Sequence, residues 1–213
     1  MADYLLSAFA TLFVTLDPIG LAPIFLGVTR GADASTRRQI ALRGTLIAGA
    51  ILLAFALTGS RVLEFLGISL PAFRIAGGLL LFWIAFEMVF EKREQRKTAS
   101  AEQALRDTPG SGIDYRQLAV FPLAIPLIAG PGAISATILL ATQAPTTLTY
   151  AGLLAVVALL LLACFAVFLA AERVDRYLGD TGRSVLTRLL GVILSALAVQ
   201  FVADGVLSFA RAS

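Results

Sequence analysis

The chain alternates long apolar runs with short clusters of charge. A helix needs about 20 apolar residues to cross the hydrocarbon core of a bilayer. Six runs meet that length: 4–28, 40–58, 71–90, 118–141, 149–171 and 185–209. The second carries Arg43 in its first turn, where a long side chain can reach the interface. The pattern predicts an all-α membrane protein with six transmembrane helices. The first run is too long for the apolar core of a secretory signal and no basic residue precedes it, so it is expected to stay as a helix.

The basic residues fall mostly on one side of these spans. The connection between spans 1 and 2 holds Arg30, Arg37, Arg38 and Arg43. That between spans 3 and 4 holds Lys92, Arg93, Arg96, Lys97, Arg106 and Arg116, and that between spans 5 and 6 holds Arg173, Arg176, Arg183 and Arg188. Only Arg61, Arg74 and Arg211 remain for the other side. Basic loops stay in the cytoplasm, so both termini are expected in the periplasm. Residues 91–116, charged and containing Pro109-Gly110-Ser111-Gly112, read as a solvated cytoplasmic linker.

Three matches recur at nearly one spacing. Asp17-Pro18-Ile19-Gly20 corresponds to Gly130-Pro131-Gly132-Ala133, 113 residues on. Arg61-Val62 with Leu66-Gly67 corresponds to Arg173-Val174 with Leu178-Gly179, at 112, and Arg74, Gly77 and Leu80 correspond to Arg188, Gly191 and Leu194, at 114. Three spans are an odd number, so a second copy enters the membrane from the opposite side. The expected organisation is two inverted three-helix repeats, 1–90 and 117–213, joined by the linker 91–116.

Spans 1 and 4 each carry a proline near the middle. Asp17 lies about 20 Å into its span at about 1.5 Å per residue. A proline removes one backbone donor and clashes with the preceding turn, but fits the first position of a new helix. Asp17 is therefore expected to cap a half-helix starting at Pro18, and Gly130 one starting at Pro131. The amides of Ile19, Gly20 and Leu21, and those of Gly132, Ala133 and Ile134, would then face a small anion or carboxylate. Asp17, Pro18, Gly20, Gly130, Pro131, Gly132 and Ser135 form the candidate substrate site. Two proline kinks packed in the bundle are the plainer alternative. Glu87, Asp204, Arg74, Arg188 and Gln200 are further polar positions, read as interface anchors or interhelical contacts. Gly77, Gly78 and Gly191 read as packing glycines.

Composition narrows the function. Hydrophobic residues make up 58% and charged ones 15%, against about 25% charged in ordinary soluble domains, with mean hydropathy +0.87. The net charge of +3 does not point to nucleic acid, because the basic residues lie between apolar spans. There is no histidine, which removes serine–histidine hydrolases, HExxH zinc enzymes and histidine proton relays. The lone Cys164 can make no internal disulfide. An aspartyl enzyme would need Asp17 and Asp204 at one depth, which their positions do not give. No enzyme activity, cofactor or metal is expected.

At Asp17-Pro-Ile-Gly20, Gly77-Gly78 and 122–135 (PLAIPLIAGPGAIS) the chain resembles the MarC family of bacterial inner-membrane proteins. The likeness runs over nearly the whole chain, and Gly130-Pro131-Gly132 is its most specific part. It implies a transporter of small neutral amino acids, although the family often has Asn where this chain has Asp17. With no P-loop in the chain, an ion or substrate gradient would drive transport. A channel or facilitator for a small polar solute is the alternative function, and a non-transporting scaffold a further one. The expected partners are the lipid bilayer and the amino acid, with a homo-oligomer left open.

Overall fold

The computed structural model describes residues 1–106 and 115–212, and these residues are helical apart from short turns. The helices are α1 (Ala2–Leu16), α2 (Leu21–Val28), α3 (Ala34–Phe65), α4 (Leu70–Val89), α5 (Lys92–Arg106) and α6 (Tyr115–Leu118). An irregularly wound segment, Ala119–Ile128, follows α6 and leads to α7 (Pro131–Gln143), α8 (Thr147–Leu169) and α9 (Ala171–Ala212). Ala2–Val28, Ala34–Phe65, Leu70–Val89, Thr147–Leu169 and Ala171–Arg211 are each long and apolar enough to cross a membrane. Ala119–Ile128 and Pro131–Gln143 meet at a bend of 58° and together make a sixth such length.

Local chemistry explains the element ends. α3 starts behind Asp33, whose carboxylate accepts from the Ser35 amide, and α4 behind Ser69, whose hydroxyl accepts from the Ala72 amide. Thr146 and Thr149 cap each other at the start of α8. In the segment before α7, Phe121 and Ile125 are extended because each precedes a proline.

Two expectations for the charged connections change. α9 begins at Ala171, so the basic stretch before span 6 is helical and is interrupted only at Gly179 (φ 57°). It offers no strong breaker before that glycine. The stretch 91–116 is not wholly a solvated linker: residues 92–106 are rich in helix formers and form α5, with Arg93 buried and the Lys97 side chain 11% exposed. The proline–glycine stretch at 109–112 lies outside the described residues.

The buried core gathers Leu12, Leu16, Leu21 and Phe25 of the first span with Ile40 and Leu52 of α3. Leu81 and Met88 of α4, Leu139 of α7 and Cys164 of α8 belong to it too. Large apolar side chains on the outer faces, such as Leu57, Leu79, Trp83 and Leu162, are exposed in the isolated chain, as suits helices whose solvent is lipid. The pair α4–α9 forms the longest seam. Gly205 of α9 faces Ile75, Gly78 faces Ala198 and Val202, and Gly191 faces Ala85 and Met88. Contact partners descend α9 as they ascend α4, so the two helices are antiparallel. A Cβ on Gly78 would stand 2.9 Å from the Ala198 carbonyl oxygen, and one on Gly191 3.0 Å from that of Ala85. Gly77 meets nothing closer than Leu139 at 3.9 Å, so the packing role falls to Gly78.

Candidate functional site

Pro18 organises the first half of the site. It lacks the N–H that would close a helical bond to the Val14 carbonyl, so α1 stops at Leu16. Asp17 adopts the left-handed conformation (φ 55°, ψ 61°) that often ends a helix, and that Asp tolerates better than most residues. The amide of Asp17 still bonds the Phe13 carbonyl at 2.9 Å. Residues 18–20 turn, and α2 begins at Leu21, not at Pro18. Asp17 keeps part of its expected capping role: Oδ1 accepts from the Gly20 amide at 3.1 Å. The Leu21 amide donates to the Asp17 carbonyl at 3.2 Å. Two of the three amides expected to face an anion here are thus engaged within the turn, because Asp17 supplies their acceptors.

Arg93 of α5 completes the break. Its Nη1 donates to the Val14 carbonyl at 3.2 Å, replacing the donor that Pro18 lacks, and Nη2 donates to the Thr15 carbonyl. Helix C-termini leave such carbonyls without partners and carry partial negative charge. One turn on, the Lys97 Nζ reaches Asp17 Oδ2 at 3.3 Å, with Asp17 buried and Lys97 nearly so. Burial pushes the Lys97 ammonium down to about 8, against the upward pull of Asp17. Arg96, on the same face of α5, pairs with Glu87 of α4 at 2.9 Å, and Trp83 donates to the same carboxylate at 3.1 Å.

The second half of the site is the start of α7. Gly130 is extended (φ −77°, ψ 169°) and stands before Pro131 at the first helical position. The Ile134 amide bonds the Gly130 carbonyl at 3.0 Å and is not available to a ligand. The amides of Gly132 and Ala133 precede the helical ladder, and Gly130 has no side chain to cap them. Gly132 also packs closely: a Cβ there would strike the Ile84 side chain.

These pieces enclose a cavity of about 240 Å³. Its wall is formed by Thr15, Ile84, Arg93, Arg96, Lys97 and Ser100 on one side, and by Pro126, Leu127 and residues 130–133 on the other. Drug-sized ligands occupy cavities of about 300–1,000 Å³, so this one suits something smaller. Of the residues expected at the site, Gly130, Pro131 and Gly132 line it. Asp17 is joined to it through Lys97, while Pro18, Gly20 and Ser135 do not line it. Two larger clefts, about 380 Å³ beside Arg37 and Arg173 and about 700 Å³ beside Arg30 and Glu102, touch neither break.

Among the described residues the lining holds three cations, Arg93, Arg96 and Lys97, and no acid. Two carboxylates, Glu87 and Asp17, pair with Arg96 and Lys97. Arg93 makes no direct ion pair among the described residues, but donates to the Val14 and Thr15 carbonyls and the Met88 sulfur and lies in the field of both carboxylates. The α5 residues were hidden in the sequence by their charge, which reads as solvated. Their spacing, 93, 96, 97 and 100, is one face of a helix and was the available signal. The other polar positions are simpler. Arg188 pairs with Glu91 at 2.8 Å. Gln200 bonds Asp204 at 2.8 Å on its own helix, and not a neighbouring helix as expected.

Long apolar helices packed around a small polar cavity define a polytopic integral membrane protein. The MarC family model, described as "MarC family integral membrane protein", matches residues 2–210, and the chain belongs to that family. It is 36% identical over 201 residues to the UPF0056 membrane protein YhcE of Escherichia coli, covering 93% of this chain and 89% of the relative. A UPF0056 membrane protein of Methanocaldococcus jannaschii is 37% identical over 204 residues, 96% of each chain. YvbG of Bacillus subtilis, another UPF0056 membrane protein, is 31% identical over 205 residues, 96% of this chain and 95% of the relative. No solved structure matches the chain.

Proposed function

We propose that this protein is a secondary transporter of small neutral amino acids in the cytoplasmic membrane, working by alternating access and without catalysis. The observation that carries the reading is the start of α7. Gly132 and Ala133, whose amides precede the helical ladder, line a small cavity whose lining has cations and, among the described residues, no acid. A carboxylate suits that end, since helix N-termini favour negative charge, and it would also meet Arg93, which lines the same cavity.

Contacts along α4–α9 support the inverted repeat. Gly78 meets Ala198 and Val202, and Gly191 meets Ala85 and Val89. Gly78, Ala85 and Val89 stand 113 residues before Gly191, Ala198 and Val202, the same interval as Asp17 to Gly130. A contact that exchanges its partners in this way, between antiparallel helices, is what a two-fold axis in the membrane plane produces. It favours one offset of 113 and pairs Gly191 with Gly78 where the sequence suggested Gly77. In this reading the turn at 17–20 and the bend before Pro131 are equivalent breaks near mid-membrane.

Alanine or serine counterflow tests the function. Purified protein in liposomes is expected to exchange labelled substrate saturably, with stimulation by unlabelled substrate on the far side. A flux linear in concentration and indifferent to the far side would make it a channel and overturn the reading. Both termini are proposed to be periplasmic, from the distribution of basic residues. Alkaline phosphatase fused after Ser213 is expected to be active, and the same reporter near Thr108 silent. The reverse pattern would invert the topology.

A further inference from the structure

The Lys97–Asp17 pair does more than hold α5 in place, because it stands where the second charge of an amino acid has to go. A neutral amino acid carries a carboxylate and an ammonium. The cavity offers its carboxylate the start of α7 and Arg93, but among the described residues no acid lines the wall to receive the ammonium. The carboxylate next to the wall is Asp17, whose Oδ1 accepts from the Gly20 amide and whose Oδ2 is held by Lys97 at 3.3 Å. Glu87, the other nearby carboxylate, is held by both Arg96 and Trp83. Lys97 lines the cavity, and Asp17, which does not, is joined to it through the ion pair.

Charge counting gives the consequence. With a zwitterion bound, Arg96 keeps Glu87, the substrate carboxylate answers Arg93, and the substrate ammonium answers Asp17. Lys97 is then left in a buried site as a cation without a partner. An isolated buried cation is costly, and a lysine relieves that cost by losing its proton. The two arginines cannot do so, because a guanidinium keeps its proton in proteins. We propose that Lys97 couples amino acid binding to the release of one proton: its ammonium holds Asp17 until the substrate's ammonium takes that place. The step breaks one N–H bond at Nζ, and the proton passes to the water on the α5 side. One substrate bound on one face of the membrane for one proton bound on the other is exchange, so a proton gradient would drive the amino acid against its own.

The charged and titratable groups around Lys97 fit this. Asp17 comes from the turn after α1, Arg93 and Glu94 from α5 itself, and Cys164 from α8. Glu94 pairs with Arg183 of α9 at 2.7 Å and makes no direct ion pair with Lys97 among the described residues, although it feels the lysine's charge. Burial and Arg93 both favour the neutral amine, while Asp17 opposes it. The group that holds the lysine protonated is thus the one the substrate would occupy.

The inference rests on the amino acid reading, and the test separates the two. Alanine binding to the purified full chain is measured by calorimetry from pH 6 to 9, in pairs of buffers that differ in ionisation enthalpy. Release of one proton makes the apparent Kd fall about tenfold per pH unit up to about pH 8 and then level off. About one proton per alanine is expected at pH 7. Lys97→Met is expected to bind alanine at least about tenfold more tightly at pH 6, with no proton released, because the competitor for Asp17 is gone. Alanine binding by the wild type with a flat pH profile and no proton released would overturn the coupling and leave the amino acid reading standing. Proton release that persists in Lys97→Met would also overturn it, by assigning the proton to another group. Failure of both alanine and serine to bind at any pH would remove the amino acid reading and the coupling together. The wild-type proton count does not depend on how well the variant folds.

Discussion

Asp17→Ala is expected to abolish alanine counterflow and to destabilise the protein by about 3–5 kcal/mol, the usual cost of removing one partner from a buried ion pair. The substitution leaves the Lys97 ammonium buried without its carboxylate, and the Gly20 amide without its acceptor. Proton loss by Lys97 would offset part of that cost, so the deficit should be smaller at pH 9 than at pH 6. The sign follows from the lysine. Its lowered affinity for protons in the folded state, once Asp17 is gone, makes folding more favourable as pH rises. Asp17→Asn keeps an oxygen for the Gly20 amide and loses only the charge. It is expected to unfold between the wild type and Asp17→Ala in a denaturant titration in detergent, and to retain part of the counterflow. An unfolding midpoint for Asp17→Ala equal to that of the wild type would show that the buried pair contributes nothing.

Arg93→Ala is expected to be comparably damaging, at about 2–5 kcal/mol, since an unpaired buried polar group costs about 1–3 kcal/mol. Two carbonyls lose their donor at once, those of Val14 and Thr15. Arg93→Met restores most of the volume but none of the donors, so it separates packing from hydrogen bonding. Arg93→Lys keeps the charge, but one ammonium replaces the planar fork that spans both carbonyls. The expected order of unfolding midpoints is wild type, Lys, Met, Ala. Equal midpoints for Met and wild type would mean that Pro18 leaves no carbonyl in need of a donor.

The spans were legible because a bilayer imposes a one-dimensional rule: a helix either has enough apolar length or it does not. The turn after Leu16 and the bend before Pro131 were foreshadowed for a similar reason. Proline removes a donor wherever it stands, so Pro18 and Pro131 mark interruptions without any knowledge of their neighbours. What the break requires is a different matter. The donor for the Val14 carbonyl comes from Arg93, far along the chain, and no local pattern announces that pairing. In a membrane protein, charge between spans ordinarily means water, and Arg93, Arg96 and Lys97 were assigned to water accordingly. The burial of Arg93 follows from a need created in α1, while Arg96 stays exposed. The precise turn at Asp17 was hidden for a related reason. Whether an aspartate before proline caps the next helix or ends the last one depends on its φ, which both roles leave open in sequence.

The glycine seam between α4 and α9 bears on how such a chain can vary. At Gly78 and Gly191 the atoms in the way of a side chain include main-chain carbonyl oxygens, those of Ala198 and Ala85. No substitution across the seam removes a carbonyl, so a methyl group gained at either glycine has no compensating change elsewhere. Gly132 differs, because its obstacle is the end of the Ile84 side chain, which a smaller residue could clear. Drift among relatives should therefore pass through Ile84 and through outward positions such as Leu79 and Leu189. The two seam glycines should stay fixed, each held in place by backbone from the opposite half of the molecule.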